Sequence, residues 1–235
     1  MSVSRILILF FICLFSACGK AQDVDSVSVV NRPEFRPKNL YIPAAMMAAG
    51  ISLHLADRSN GENQEVVERD ADLLGISNSF DDYAQFVPFA AAYAFEWAGM
   101  KPRTDWKNRT AIMVKGQIIN IGTVMLLKKT IGGVRPDGKA YSFPSGHTAI
   151  AFAGATLVGM EYGTEYRWVP FASYTFATGI GVLRAVNDKH YFSDVLFGAG
   201  LGILSMKIAY WTHQYKWNRK KPDDDPLTAI YLMPH

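Results

Sequence analysis

The chain has 235 residues, a formal net charge of +3, 49% apolar residues and 19% charged ones, a length suited to one sizeable domain and a charged share below the ~25% usual in soluble domains. Without Arg5 and Lys20 of the N-terminal leader, 22 basic residues face 21 acidic ones, so there is no broad basic surface for nucleic acid. Cys13 and Cys18 are the only cysteines and both lie in that leader, which excludes a disulfide scaffold or a cysteine metal site from the rest of the chain.

Residues 1–21 read as a signal peptide: Arg5, an apolar core from Ile6 to Phe15, then small residues, the layout that directs export. That core is shorter than the ~20 residues of a bilayer span, which argues against a transmembrane anchor. Two processing routes stay open. Phe-Ser-Ala-Cys before Gly19 is similar to a lipoprotein box with Phe15 where Leu is usual, whereas Gly-Lys-Ala before Gln22 suits ordinary signal peptidase. Residues 22–40, with Pro33 and Pro37, form an extended lead-in, 41–215 a helical domain, and 216–235 a polar tail with a basic and an acidic run.

Within the domain the first predicted helix runs from Tyr41 to Leu55, and its His54 reads as structural or exposed. Asp57 to Asp82 is polar and acidic; SNGEN predicts a turn and VVERDADLLG a short amphipathic surface helix. No chemistry is assigned to that segment. An apolar helix interrupted by Glu96 follows from Tyr83 to Ala98, then a basic, Pro-containing loop from Lys101 to Arg109. Thr110 to Lys128 is helical, with Lys115, Gln117 and Asn120 among apolar residues, and Gly132-Gly133 ends it. Three more helices are read at Thr148–Met160, Trp168–Val186 and Tyr191–Trp211, the last with Gly198, Gly200 and Gly202 for close packing. Without convincing β-alternation or an internal repeat, the expectation is an all-α bundle of about six helices. Most of its apolar segments are short for a span or carry a charge or amide, so spanning stays open.

If the helices alternate up and down, Lys128, Ser145 to His147, Arg184, His190 and Asp194 converge at one end. Lys128, Arg135 and Arg184 then supply three cations for a phosphate. Ser145 and Gly146, just before a predicted helix, add a hydroxyl and backbone N–H groups at a positive terminus. His190 and Asp194 stand four residues apart and share a helical face, so the carboxylate can accept Nδ1–H and leave Nε2 as nucleophile or base. His147 can supply a proton to a leaving alkoxide.

Lys128 with Arg135-Pro136, then Pro144-Ser145-Gly146-His147, then Arg184, His190 and Asp194, form a series that resembles the three-part signature of the type 2 phosphatidic acid phosphatase (PAP2) superfamily, which includes bacterial acid phosphatases and vanadium haloperoxidases. The resemblance covers about Tyr83 to Trp211. One departure is Leu183, where the family commonly has Ser before the arginine; this removes a hydroxyl near the pocket. The resemblance implies a metal-independent phosphatase with no cofactor: His190 attacks phosphorus, Asp194 orients it, His147 protonates the leaving oxygen, and Lys128, Arg135, Ser145, Gly146 and Arg184 hold the phosphoryl oxygens.

It further implies a phosphorylated lipid as substrate, at a membrane surface or in the bilayer, with no obligate protein partner. Among such lipids an exported cell-envelope enzyme of this compact form is most similar to a lipid A phosphatase; undecaprenyl diphosphate and phosphatidylglycerol phosphate are the alternatives. A vanadium haloperoxidase and a non-enzymatic lipid-phosphate binder are the competing classes. The implied location is the periplasm-facing envelope, in an integral or lipid-anchored form.

Overall fold

Helix boundaries in this chain follow from local chemistry. The computed structural model describes residues 36–59 and 80–213; the leader, the SNGEN turn after Ser59, the VVERDADLLG helix and the tail lie outside the described residues. A 3-10 turn at Pro37–Leu40 leads into α1 (Tyr41–Ser59), followed by α2 (Phe80–Ala84), α3 (Val87–Trp97), α4 (Trp106–Thr130), α5 (Gly146–Tyr162), α6 (Trp168–Val186) and α7 (Phe192–Trp211). The class is all-α, and the described residues contain no strand, only an isolated bridge between Val134 and Ala140.

Among the described residues seven α-helices stand where about six are expected, because the segment read as one helix from Tyr83 to Ala98 divides. Pro88 sits in the first turn of α3, where a missing N–H costs nothing, but it cannot extend a helix arriving from α2. The fourth helix starts earlier than the sequence suggests, at Trp106 rather than Thr110. Asp105 caps it, its carboxylate accepting from the backbone N–H groups of Lys107 (3.1 Å) and Asn108 (3.3 Å), which satisfies donors that would otherwise be orphaned. The basic Lys101–Arg109 stretch is therefore partly helical.

Helix α7 is the centre of the bundle, packed by α1, α4 and α5, while α6 and α3 lie against α5. The approach of α5 to α7 is set by glycine. A Cβ at Gly198 would stand 2.5 Å from the Ser145 carbonyl oxygen, and one at Gly202 would collide with the carbonyl of Ala149. Only residues without Cβ let the two backbones meet this closely. The start of α5 is thereby pressed onto the start of α7, and the Ser145 N–H donates to the Asp194 carbonyl at 3.1 Å.

A small apolar cluster of Val124, Phe143, Ala149, Phe197 and Leu201 lies under this junction. Phe143 is fully buried, with its ring centroid 4.7 Å from Phe197 and 4.4 Å from His54. Burying such a ring is worth about 1.5–3 kcal/mol, and here it anchors the loop that carries Ser142 and Ser145. Among the described residues, three helical stretches, Pro37–Ala56, Trp106–Thr130 and Phe192–Trp211, are long and apolar enough to cross a membrane. The outer side of α4 leaves Val114, Ile118, Ile121, Met125 and Leu126 exposed.

Candidate active site

The loop from α4 to α5 is folded back and tied down by its own residues. Lys128, in the last turn of α4, donates from Nζ to the carbonyls of Tyr141 (2.7 Å) and Ser142 (3.4 Å). Between them, the Arg135 N–H donates to the Lys139 carbonyl at 2.7 Å and the Gly138 N–H returns to the Arg135 carbonyl at 2.9 Å, with Gly138 at φ +80 where a side chain is strained. This tight turn is joined to the α6–α7 loop: the Asp137 N–H donates to the Asp188 carbonyl, and Asp137 pairs with Lys189 at 3.3 Å. The Arg135 Nε is buried without a hydrogen-bond partner. An anion arriving there finds a donor already stripped of water.

The α6–α7 loop delivers the histidine. His190 is 2% exposed, and its backbone N–H, like that of Lys189, donates to the Arg184 carbonyl at the end of α6. Asp194, fully buried in the first turn of α7, lies with Oδ2 3.5 Å from His190 Nδ1. The same oxygen accepts from the Tyr191 backbone N–H at 3.1 Å and from the Ser142 hydroxyl. Two donors from separate loops thus hold the carboxylate in place. Burial pushes the His190 pKa down to about 4, with Asp194 opposing and the nearby Lys128 and Arg135 charges adding to the fall. At neutral pH the imidazole carries no charge and keeps a lone pair.

His147 follows Gly146 at the start of α5, with Ser145 as the residue before the helix. The His147 side chain is 28% exposed, and its Nε2 meets Asp82 Oδ1 at 2.9 Å; that oxygen is also 3.7 Å from Nη1 of the buried Arg184. The Ser145 hydroxyl is buried and paired with Thr148 Oγ1 at 2.9 Å. Of the predicted residues, Lys128, Ser145, Arg184, His190 and Asp194 are joined by bonds or loop contacts at one bundle end, with His147 beside Arg184 through Asp82. The described residues hold no cluster of three or more His, Cys, Asp or Glu of metal-binding type.

Three side chains at this end carry no chemical assignment from the sequence. Ser142 is one, hidden in an apolar loop. His54 is another: it is 7% exposed, not at the surface, with Nδ1 3.9 Å from Asp194 Oδ1. The signal was its spacing, since Met47, Gly50, Ile51 and His54 share a helical face and Met47, Gly50 and Ile51 pack toward α7 or its cluster. Asp82 is the third, from a segment read as an acidic surface.

The family model described as the PAP2 superfamily matches residues 97–218 of this chain. The chain belongs to the PAP2 superfamily. The chain is 42% identical over 133 residues to a lipid A 1-phosphatase of Porphyromonas gingivalis, a stretch covering 56% of this chain and 30% of that protein. It is 23% identical over 168 residues to a probable diacylglycerol pyrophosphate phosphatase of Schizosaccharomyces pombe, covering 53% of this chain and 60% of that one. The chain therefore spans less than two thirds of the length of either relative. A crystal structure of Aquifex aeolicus LpxE aligns over 67% of this chain and 93% of its own, with a TM-score of 0.46 and 21% identity. His54 and Asp82 both precede the matched region of the PAP2 model.

Proposed function

We propose that this chain hydrolyses a phosphate ester on a cell-envelope lipid, with lipid A phosphate as the substrate, through a phosphohistidine intermediate. The observation that carries the reading is His190, buried and uncharged at neutral pH, with the Asp194 carboxylate behind its Nδ1 and Lys128, Arg135 and Arg184 around the same end. A neutral imidazole with a carboxylate behind Nδ1 can act as a nucleophile, and cations grouped at the same bundle end favour a phosphoryl group. Membership of the superfamily and the 42% identity to a lipid A 1-phosphatase support the substrate class.

In the proposed reaction His190 Nε2 attacks phosphorus, the P–N bond forms and the bond to the lipid oxygen breaks. His147 gives its proton to that oxygen, so the lipid leaves as an alcohol. Water then attacks the phosphohistidine and gives a proton to His147. The P–N bond breaks, and inorganic phosphate departs. Asp194 holds the Nδ1–H and offsets positive charge on the ring. Lys128, Arg135 and Arg184, with Ser145 and the backbone N–H groups at the start of α5, hold the phosphoryl oxygens as their charge grows. No metal enters any step. The domain of residues 41–215 would work at the periplasm-facing side of the envelope, with its three long apolar helices in or on the membrane.

The test is phosphate release by the purified chain in detergent from lipid A phosphate, undecaprenyl diphosphate and phosphatidylglycerol phosphate, with EDTA and with vanadate. Preferred release from lipid A phosphate, insensitivity to EDTA and inhibition by vanadate are expected. Halide oxidation by peroxide in place of phosphate release, or phosphate binding without turnover, would overturn the proposal.

A further inference from the structure

The phosphoryl site already contains an anion of the protein's own. Asp82 lies on α2, a helix of five residues, with a half-exposed side chain, and its Oδ1 reaches both His147 Nε2 (2.9 Å) and Arg184 Nη1 (3.7 Å). Under the function proposed above, these are the proton donor and one of the phosphate-holding cations. We infer that Asp82 is a competing internal anion: its carboxylate takes the place of one oxygen of the phosphoryl group, and the substrate must displace it to bind.

The argument rests on shared chemistry and on contrast. Carboxylate and phosphoryl oxygens are acceptors for the same charged donors at the same distances. The oxygen 2.9 Å from His147 therefore uses the direction in which a leaving-group oxygen would receive its proton. Two anions cannot share His147 and Arg184 at contact distance without repulsion. Asp194, the other acidic side chain of the site, is fully buried and fixed by Ser142 and the Tyr191 N–H. Asp82 has a side chain 52% exposed, so it can return to water, where an exposed ion pair is worth little. One carboxylate is built to stay and the other is free to leave.

The experiment measures vanadate binding by titration calorimetry on the full chain in detergent, for wild type, Asp82→Asn and Asp82→Ala. Both variants are expected to bind about two- to fivefold more tightly, since a weak, exposed competing ion pair is removed from the anion seat. A thermal melt of each variant checks that the exposed helix tolerates the change. Equal or weaker binding by well-folded variants would overturn the inference and make Asp82 a positioning partner of His147. Because wild-type binding is read separately, loss of vanadate binding in all three proteins would remove the phosphoryl site itself.

Discussion

Both ends of this bundle bury charge, and they pair it differently. At the end of α5 and α7 away from His190, Glu161 is 1% exposed and saturated by the Thr104 N–H (2.9 Å), the Thr104 hydroxyl (2.8 Å) and the Tyr210 hydroxyl (2.5 Å). Arg109 is fully buried, pairs with Glu96, and lies 4.7 Å from the Tyr93 ring centroid. Its acid is fully satisfied and its base is paired with Glu96, while the Arg109 Nε is buried without a hydrogen-bond partner. At the other end, cations outnumber the carboxylates that touch them, the Arg135 Nε is buried without a partner, and one of the neighbouring carboxylates is half exposed. Buried charge alone does not mark a site, nor does one unpartnered donor, since the Nε of Arg109 and of Arg135 share that state; cations in excess of the carboxylates that touch them do.

The contrast can be broken by exchanging single atoms. Asp194→Asn preserves shape but loses the charge behind His190, and turnover should fall by up to about ten-thousandfold while circular dichroism stays unchanged; near-normal turnover would remove Asp194 from its proposed role. Glu161→Gln makes the complementary change. It replaces an acceptor with a donor facing Thr104 and Tyr210, so stability should fall by about 1–3 kcal/mol, read as a lower Tm in detergent, with kcat unchanged. A large loss of kcat there would mean that the two ends are not separate. The smallest effect is in pH. His190 stays neutral down to about 4 instead of 6.5, so the acid limb of kcat/KM set by this group should lie near pH 4. Between pH 6.5 and 4 the unfolded chain binds a proton at this residue that the native chain refuses, so stability falls as pH drops through that window.

The two ends also differ in how far they were legible in the sequence. Lys128, Ser145, His147, Arg184, His190 and Asp194 stand at or next to helix ends, so an up-and-down reading of the helices was enough to gather them at one end. What places them finely was not legible, because it depends on contacts between distant segments. Ser142 reaches Asp194 across 52 positions, and Asp82 reaches His147 across 65. Nothing local in the polar stretch before Tyr83 distinguishes a solvated acid from one folded into a pocket. For His54 the structural branch of the reading holds and the exposed one does not: it is buried, on the face it shares with Met47, Gly50 and Ile51, but the spacing does not say that this face meets Asp194. The division of the predicted Tyr83–Ala98 helix was within reach, since Pro88 falls inside it, whereas the Asp105 cap needed only the Asp before Trp106 to be recognised as a start signal.

The central claim is covalent phosphoryl transfer to His190. It is tested most directly by rapid quench of the purified chain with a substrate carrying radiolabelled phosphate, followed by peptide mapping. The account predicts an acid-labile, base-stable label on His190 that forms and decays at rates compatible with turnover and is absent from His190→Ala. Turnover without any labelled protein, or a label retained in His190→Ala, would contradict it.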